Sequence, residues 1–157
     1  MSIITSMYRS LIGFLSGTFM ESVGLLLARI ALALIFWRSY KTKVVDGTWL
    51  QIDEVQYFLF ENEFAGLPIA TNLAVPMATY AEFAFPLLLF VGLFTRFSAL
   101  ALMIMTLVIQ FFVFPTADHF WGWAITPIAL ALVLISRGGG LFGLDRVFDR
   151  VLEPKAG

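Results

Sequence analysis

The stretch TNLAVPMATYAEFAFPLLLFVGLF, residues 71–94, decides the fold class of this chain. Apart from Glu82 it carries no charged side chain, and it is long enough to cross the hydrocarbon core of a bilayer as one helix. A carboxylate inside such a helix is costly unless it faces the protein interior and finds a partner. The stretch therefore predicts a membrane span and marks Glu82 as a candidate functional residue.

The composition of the whole chain also indicates a membrane protein. Hydrophobic residues make up 60% of the 157 positions and charged residues only 13%, whereas soluble domains have roughly 45–50% and about 25%. The formal net charge of −1 gives no reason to expect a nucleic-acid partner. Because the chain has no cysteine, disulfides, thiolate metal sites and iron–sulfur clusters within it are excluded. We expect one domain over residues 1–157, surrounded by lipid.

Four apolar stretches predict an all-α membrane protein, a bundle of four transmembrane helices. Before the first stretch, Met1–Met20 combines Arg9 with an apolar patch, which favours an amphipathic helix at the membrane surface. The expected spans are at about residues 22–40, 72–94, 97–115 and 120–136.

The one long connection is the loop at residues 44–70. In it, Tyr57, Phe60 and Phe64 recur at helical spacing among acidic residues, which predicts an amphipathic helix over one end of the bundle.

Lys and Arg concentrate in the N-terminal segment, in the second loop and in the tail at residues 137–157. The positive-inside rule then predicts that both termini are cytoplasmic and that the acidic loop is extracytoplasmic. The residues counted are Arg9, Arg96, Arg137, Arg146, Arg150 and Lys155.

Polar side chains fall at similar expected depths on the first three spans, namely Arg29, Glu82 and Gln110. One interpretation is a structural ion pair between Arg29 and Glu82, supported by Gln110, that sets helix register. The other is a small-molecule or proton site centred on Glu82. There Glu82 and Arg29 are the candidate catalytic residues, and Gln110 and Tyr80 are further ligand-binding candidates.

Two further groups are weaker candidates. Arg38 and Lys43 belong to an aromatic and basic cluster at the outer end of the first span, which is either an interfacial anchor or a cationic lip for an anionic ligand. His119 is the only histidine, so a haem held by two histidines of one chain is excluded. Metal ligation by His119 and Asp118 has suitable chemistry but no diagnostic spacing.

Several motifs resemble the DoxX family of small four-helix membrane proteins, over nearly the whole chain. Arg29, Phe36 and Lys43 are similar to the family's R…F…K pattern, although Ser39-Tyr40 replaces the usual His-Gly. Glu82, followed by PLLLFVGLFTR, resembles the E…G-L-x-T-R signature.

Three other segments extend the resemblance. GGGLFGLD (138–145) is similar to the ending GPGxLSLD, with departures at Gly139 and Gly143. FWRSxxTKV (36–44) and RFSALALMIMTLVIQFFVFP (96–115) resemble a branch of the family found in bacterial inner membranes.

The resemblance implies a four-helix fold in the bacterial inner membrane. It also implies a link to thiosulfate:quinone oxidoreduction or to oxidative or metal stress. A redox role requires a bound quinone, a haem with at most one histidine ligand, or a protein redox partner. In the quinone hypothesis Glu82 relays protons and Arg29 stabilises negative charge on the reduced ligand.

Two other functions stay open at this point. The chain can be a non-enzymatic anchor or assembly subunit whose outer loop and tail dock a partner protein. It can also be a transporter of a small solute, for which four short helices would have to associate as a homo-oligomer. Whether the protein is an enzyme is left open by the sequence.

Overall fold

Four long helices form the body of the protein. The computed structural model describes residues 3–152, with the side chains of residues 3–148. Each of the four is long and apolar enough to cross a membrane, which confirms the predicted all-α class. They cover Thr18–Lys41, Thr71–Val91, Thr95–Val113 and Ala117–Arg137.

The first two spans are single α-helices, α2 (Thr18–Lys41) and α4 (Thr71–Val91). The predicted second span runs to residue 94, but α4 ends at Val91. Gly92 adopts a left-handed conformation with φ +69°, which ends the helix at little steric cost for a residue without a Cβ.

The other two spans each contain a π-helical turn. In the third, α5 (Thr95–Val108) continues into a π-helical turn at Ile109–Val113. The fourth begins with the short helix α6 (Ala117–His119) and a π-helical turn at Phe120–Ala124. It then continues as α7 (Ile125–Arg137).

The long helices pack as a closed ring in the order α2, α4, α5, α7. Because consecutive spans run in opposite directions, each helix is antiparallel to both neighbours. The centre of the ring is filled by aliphatic and aromatic side chains, which are Leu25, Leu32, Ala33, Phe36, Leu89, Ala99, Leu102, Ala131 and Leu134.

The predicted amphipathic loop helix is present as α3 (Val55–Asn62). Its buried side chain Phe60 packs with Ala74 and Val75 at the beginning of α4, while Phe58 on the opposite face is exposed. Phe64 follows the end of α3 and packs edge-on against Phe60, at 5.0 Å between ring centroids. The loop thus covers one end of the bundle.

The chain ends carry two further helices, α1 (Ile3–Leu15) and α8 (Asp145–Leu152). No residue of α1 is buried, as expected of a helix that lies at a membrane surface. Residues 1–2 of the expected N-terminal helix, and residues 153–157 of the expected tail with Lys155, lie outside the described residues.

Candidate functional site

A cavity of about 780 Å³ lies between α2, α4 and α5, beneath α3. Most of its wall is apolar and includes Phe60, Phe64, Phe85 and Phe114. Its polar side chains are Ser39, Lys43, Glu82 and His119. The cavity therefore combines an apolar interior with a small set of polar groups, as small-molecule sites in proteins do.

The main polar contact in the cavity is a buried ion pair. Lys43 Nζ lies 2.8 Å from Glu82 Oε2, and the two side chains are only 11% and 3% exposed. Lys43 Nζ also donates to Ser39 Oγ at 2.8 Å. A buried ion pair stabilises a fold only when its geometry is good and its remaining hydrogen-bonding groups find partners, and Ser39 supplies one such partner.

The backbone at Glu82 is also unusual for a helix. Pro86 follows it by one helical turn and has no N–H to donate to the Glu82 carbonyl. The ion pair thus occurs where the helical hydrogen-bond pattern of α4 is interrupted.

His119 lines the cavity and lies in α6, between the two π-helical turns, a distortion that is frequent at functional sites. Gln110, within the first of these turns, donates from Nε2 to the carbonyls of Phe114 and Thr116 at 3.0 and 3.1 Å. Its Oε1 must therefore accept from His119 Nδ1, 2.7 Å away. This arrangement places the proton on Nδ1 and leaves Nε2 as the acceptor nitrogen of the ring.

Aromatic rings on both sides hold the His119 imidazole in place. The centroids of Phe114 and Trp123 lie 4.8 and 5.2 Å from that of His119, and both rings also line the cavity. Sequence reasoning considered His119 only as a weak metal ligand. Among the residues that the structure describes, no group of three or more His, Asp or Glu side chains can hold a metal ion.

The predicted contact between Arg29 and Glu82 is wrong. Tyr40, near the end of α2, packs against Phe83, the residue after Glu82, at 5.1 Å between ring centroids. Glu82 is therefore level with the end of α2, whereas Arg29, eleven residues before Tyr40, lies beside Gly92. Glu82 precedes Gly92, the residue after α4, by ten positions, which separates it from Arg29 by roughly 15 Å along the helix axis. That distance exceeds the combined reach of the two side chains.

Arg29 instead lies at the opposite end of the bundle, buried to 1% exposure. Its Nη2 donates to the Phe142 carbonyl at 3.2 Å, and the Asp145 carboxylate attracts it electrostatically. Within the described part of the chain, Nε and Nη1 have no hydrogen-bond partner. Glycines make room for the guanidinium, since a Cβ at Gly143 would lie 2.9 Å from Nη1 and one at Gly92 would overlap it.

Asp145 connects the beginning of α8 to the turn between α4 and α5. Sequence reasoning did not identify it as a site residue. Its carboxylate accepts from the backbone N–H groups of Phe94 and Thr95 at 2.6 and 2.9 Å, where α5 begins. Its own N–H donates to the Gly92 carbonyl at 2.9 Å. The two glycine-containing segments that suggested a family signature thus meet around Arg29.

The other predicted site residues lie apart from the cavity or act indirectly. Tyr80 is 44% exposed and donates from Oη to the Leu50 carbonyl at 3.3 Å. Arg38 is exposed on α2, and neither residue lines the cavity. Gln110 acts through His119 rather than through Glu82.

Comparison with known proteins identifies the family of this four-helix chain. The profile of the DoxX family matches residues 24–115. The chain belongs to the DoxX family. This DoxX protein is 31% identical over 141 residues to an uncharacterized protein of Haemophilus influenzae, covering 87% of this chain and 90% of that relative. No solved structure matches this DoxX protein.

Family membership and the four apolar spans together make this DoxX protein a multi-pass membrane protein. The region that matches the family profile contains Lys43, Glu82 and Gln110. His119 and Asp145 lie beyond it.

Proposed function

We propose that this DoxX protein is a redox-linked membrane component that binds a quinone in the cavity of Lys43, Glu82 and His119. One observation carries the proposal, the convergence of a buried ion pair and an oriented imidazole on one apolar cavity. We further propose that the protein is located in the bacterial inner membrane. The Lys and Arg distribution supports cytoplasmic termini and an orientation in which the cavity lies towards the extracytoplasmic side.

The size and chemistry of the cavity fit a quinone. Its volume of about 780 Å³ lies within the range of roughly 300–1,000 Å³ that small-molecule sites occupy. The apolar and aromatic wall suits a ring with a hydrocarbon tail. A quinone ring also presents two carbonyl oxygens, which need hydrogen-bond donors.

Lys43 is a donor with an N–H bond left available by its contacts. An ammonium group has three N–H bonds, and Lys43 uses one towards Glu82 and one towards Ser39. The third can donate to a ligand carbonyl within the cavity. The charge of Lys43 also stabilises negative charge that develops on the oxygen it contacts.

Glu82 and His119 supply groups that accept and return protons. A bound quinone supplies the capacity to take up two electrons together with two protons. His119 Nε2 is an acceptor because Gln110 holds the ring proton on Nδ1. The Glu82 carboxylate is the second acceptor at the cavity wall. Because the chain has no cysteine for a thiol or iron–sulfur relay, we expect a separate redox protein as its partner.

The test is organic extraction of the mildly purified full chain, with mass spectrometry for quinone. We expect near-stoichiometric quinone in the wild type and in Glu61→Gln, a control at an exposed carboxylate on α3. Glu82→Gln should lose it. Because Glu82→Gln also disturbs an ion pair, Ala101→Phe provides a second variant that fills the cavity and leaves the pair intact. Quinone retained by folded Ala101→Phe, or absent from the wild type, would contradict the proposal.

A further inference from the structure

A second pocket, of about 500 Å³, lies at the end of the bundle opposite the cavity. Its wall is formed by the beginning of α5, the beginning of α8 and the loop with the three glycines 138–140. We call it the glycine-loop pocket. Within the described residues, the arginines that line it are Arg96, Arg137 and Arg146.

The described side chains of the glycine-loop pocket carry a net positive charge. Among the side chains that the structure describes, three guanidinium groups and one carboxylate line it, and that carboxylate, Asp145, already accepts from the N–H groups at the beginning of α5. Arg137 Nη1 lies 3.3 Å from Glu21 Oε1 in an exposed pair. Among the described side chains, Arg96 and Arg146 form no ion pair. The pocket therefore has positive charge available for an anion.

A buried hydroxyl in the pocket wall lacks a partner. Thr95 is fully buried and lines the pocket, and its Oγ1 has no hydrogen-bond partner within the part of the chain that the structure describes. Leaving a buried hydroxyl unpaired costs free energy, which a ligand oxygen at this position would offset. This observation is independent of the arginines and points to the same kind of ligand.

The glycines allow the loop backbone to approach these polar groups. A Cβ on Gly139 would lie 2.9 Å from Thr95 Oγ1, and one on Gly138 would lie 3.3 Å from Arg96 Nε. Larger residues would crowd the hydroxyl and the guanidinium.

Exposed aromatic rings surround the polar part of the pocket. Phe94, Phe97 and Phe148 all line it, and their side chains are more than half exposed. Guanidinium groups beside apolar rings at the ends of membrane spans match a lipid, which has a phosphate next to acyl chains. A free phosphate ion would use the arginines but not the rings.

We propose that the glycine-loop pocket binds the phosphate of an anionic glycerophospholipid. Arg96 and Arg146 neutralise the phosphate, Thr95 Oγ1 donates to one of its oxygens, and the phenylalanine rings contact the acyl chains. The proposal does not depend on quinone binding, because the two pockets lie at opposite ends of the bundle.

The test is native mass spectrometry of the full chain in detergent, titrated with phosphatidylglycerol and separately with phosphatidylcholine. We expect the wild type to bind phosphatidylglycerol more tightly than phosphatidylcholine. Removing guanidinium groups in Arg96→Gln/Arg146→Gln should weaken this binding by about fivefold for each group. Arg9→Gln, at an exposed arginine on α1 outside the pocket, should bind like the wild type. An unchanged preference in the double variant would overturn the proposal.

A matched pair of variants separates ligand binding from folding. Thr95→Val and Ser98→Ala each remove a buried hydroxyl that has no partner among the described residues, but only Thr95 lines the pocket. We expect Thr95→Val alone to weaken phosphatidylglycerol binding, while both variants stay folded. Equal binding by both variants would contradict the role of Thr95. A final titration uses inorganic phosphate. If free phosphate binds and the protein shows no preference between the two lipids, the lipid assignment is overturned.

Discussion

Lys43 Nζ and Glu82 Oε2 are 2.8 Å apart, although 39 positions separate the two residues in the chain. Lys43 lies two residues beyond the end of α2, and Glu82 lies near the middle of α4. The contact is possible because α4 extends beyond the end of α2 to pack against α3. This offset between neighbouring helices decides which polar residues meet.

We predict that Lys43→Met lowers the free energy of unfolding by about 3–5 kcal/mol, because it leaves the Glu82 carboxylate buried without its counter-charge. The double variant Lys43→Met/Glu82→Leu should recover most of that loss. Denaturant titration of the protein in detergent measures both effects. Lys41→Met, at an exposed lysine two residues earlier, is the control. A double variant less stable than Lys43→Met would contradict the prediction.

Gln110 is predicted to control the tautomer of His119. Nitrogen-15 NMR of the wild type should show the proton on Nδ1, and Gln110→Leu should lose this preference, since the acceptor Oε1 is removed. The same variant should lose about 1–2 kcal/mol of stability, because the carbonyls of Phe114 and Thr116 lose their donor. Gln51→Leu, at an exposed loop glutamine, should alter neither property. A proton on Nε2 in the wild type would show that this account is wrong.

Two glycine-to-alanine substitutions should have opposite effects. At Gly92, an added Cβ would overlap Arg29 Nη1, and the alanine would have to adopt a left-handed backbone conformation. We expect Gly92→Ala to destabilise the protein by more than about 2 kcal/mol, part of which is the left-handed backbone cost. Gly24 lies inside α2, and outside its own helical turn no described atom comes within 4 Å of an added Cβ, so Gly24→Ala should stabilise the protein by about 0.5–1 kcal/mol. Thermal unfolding compares the two, and equal effects would argue against the close packing around Arg29.

Removing the Asp145 carboxylate should weaken the beginning of α5. Asp145→Ala leaves the N–H groups of Phe94 and Thr95 without their acceptor. Loss of such a cap costs about 1–2 kcal/mol, measurable by denaturant titration. Asp145→Asn keeps one acceptor oxygen and should lose less. Asp46→Ala, at an exposed loop position, serves as the control, and an Asp145→Ala variant as stable as this control would exclude the capping role.

The sequence predicted the four spans and the loop helix, with differences confined to the helix ends. Residues 92–94 are an example, since the apolar run continues through them but Gly92 ends α4. The local backbone conformation of a glycine is not visible in a hydropathy pattern.

The partner of Glu82 could not be predicted from the sequence. Glu82 and Lys43 were both selected, yet Glu82 was paired with Arg29. Depth estimates counted from each helix end could not include the offset of α2 against α4. The contact between Gln110 and His119 was not predicted, because the π-helical turns beside it are not visible in a hydropathy pattern. A signal existed in the sequence, since Gln110 is a polar residue in an apolar span near the only histidine.

The sequence by itself determined that this chain forms four membrane-spanning helices with a covering loop helix. This follows because the length and apolarity of a segment are local properties, and a bilayer of fixed thickness selects for them. The tertiary structure alone decided that Glu82 meets Lys43, that Gln110 orients His119 and that Asp145 meets the beginning of α5. Each contact depends on how far one helix is shifted along its neighbour, and that shift results from the packing of side chains distant in sequence.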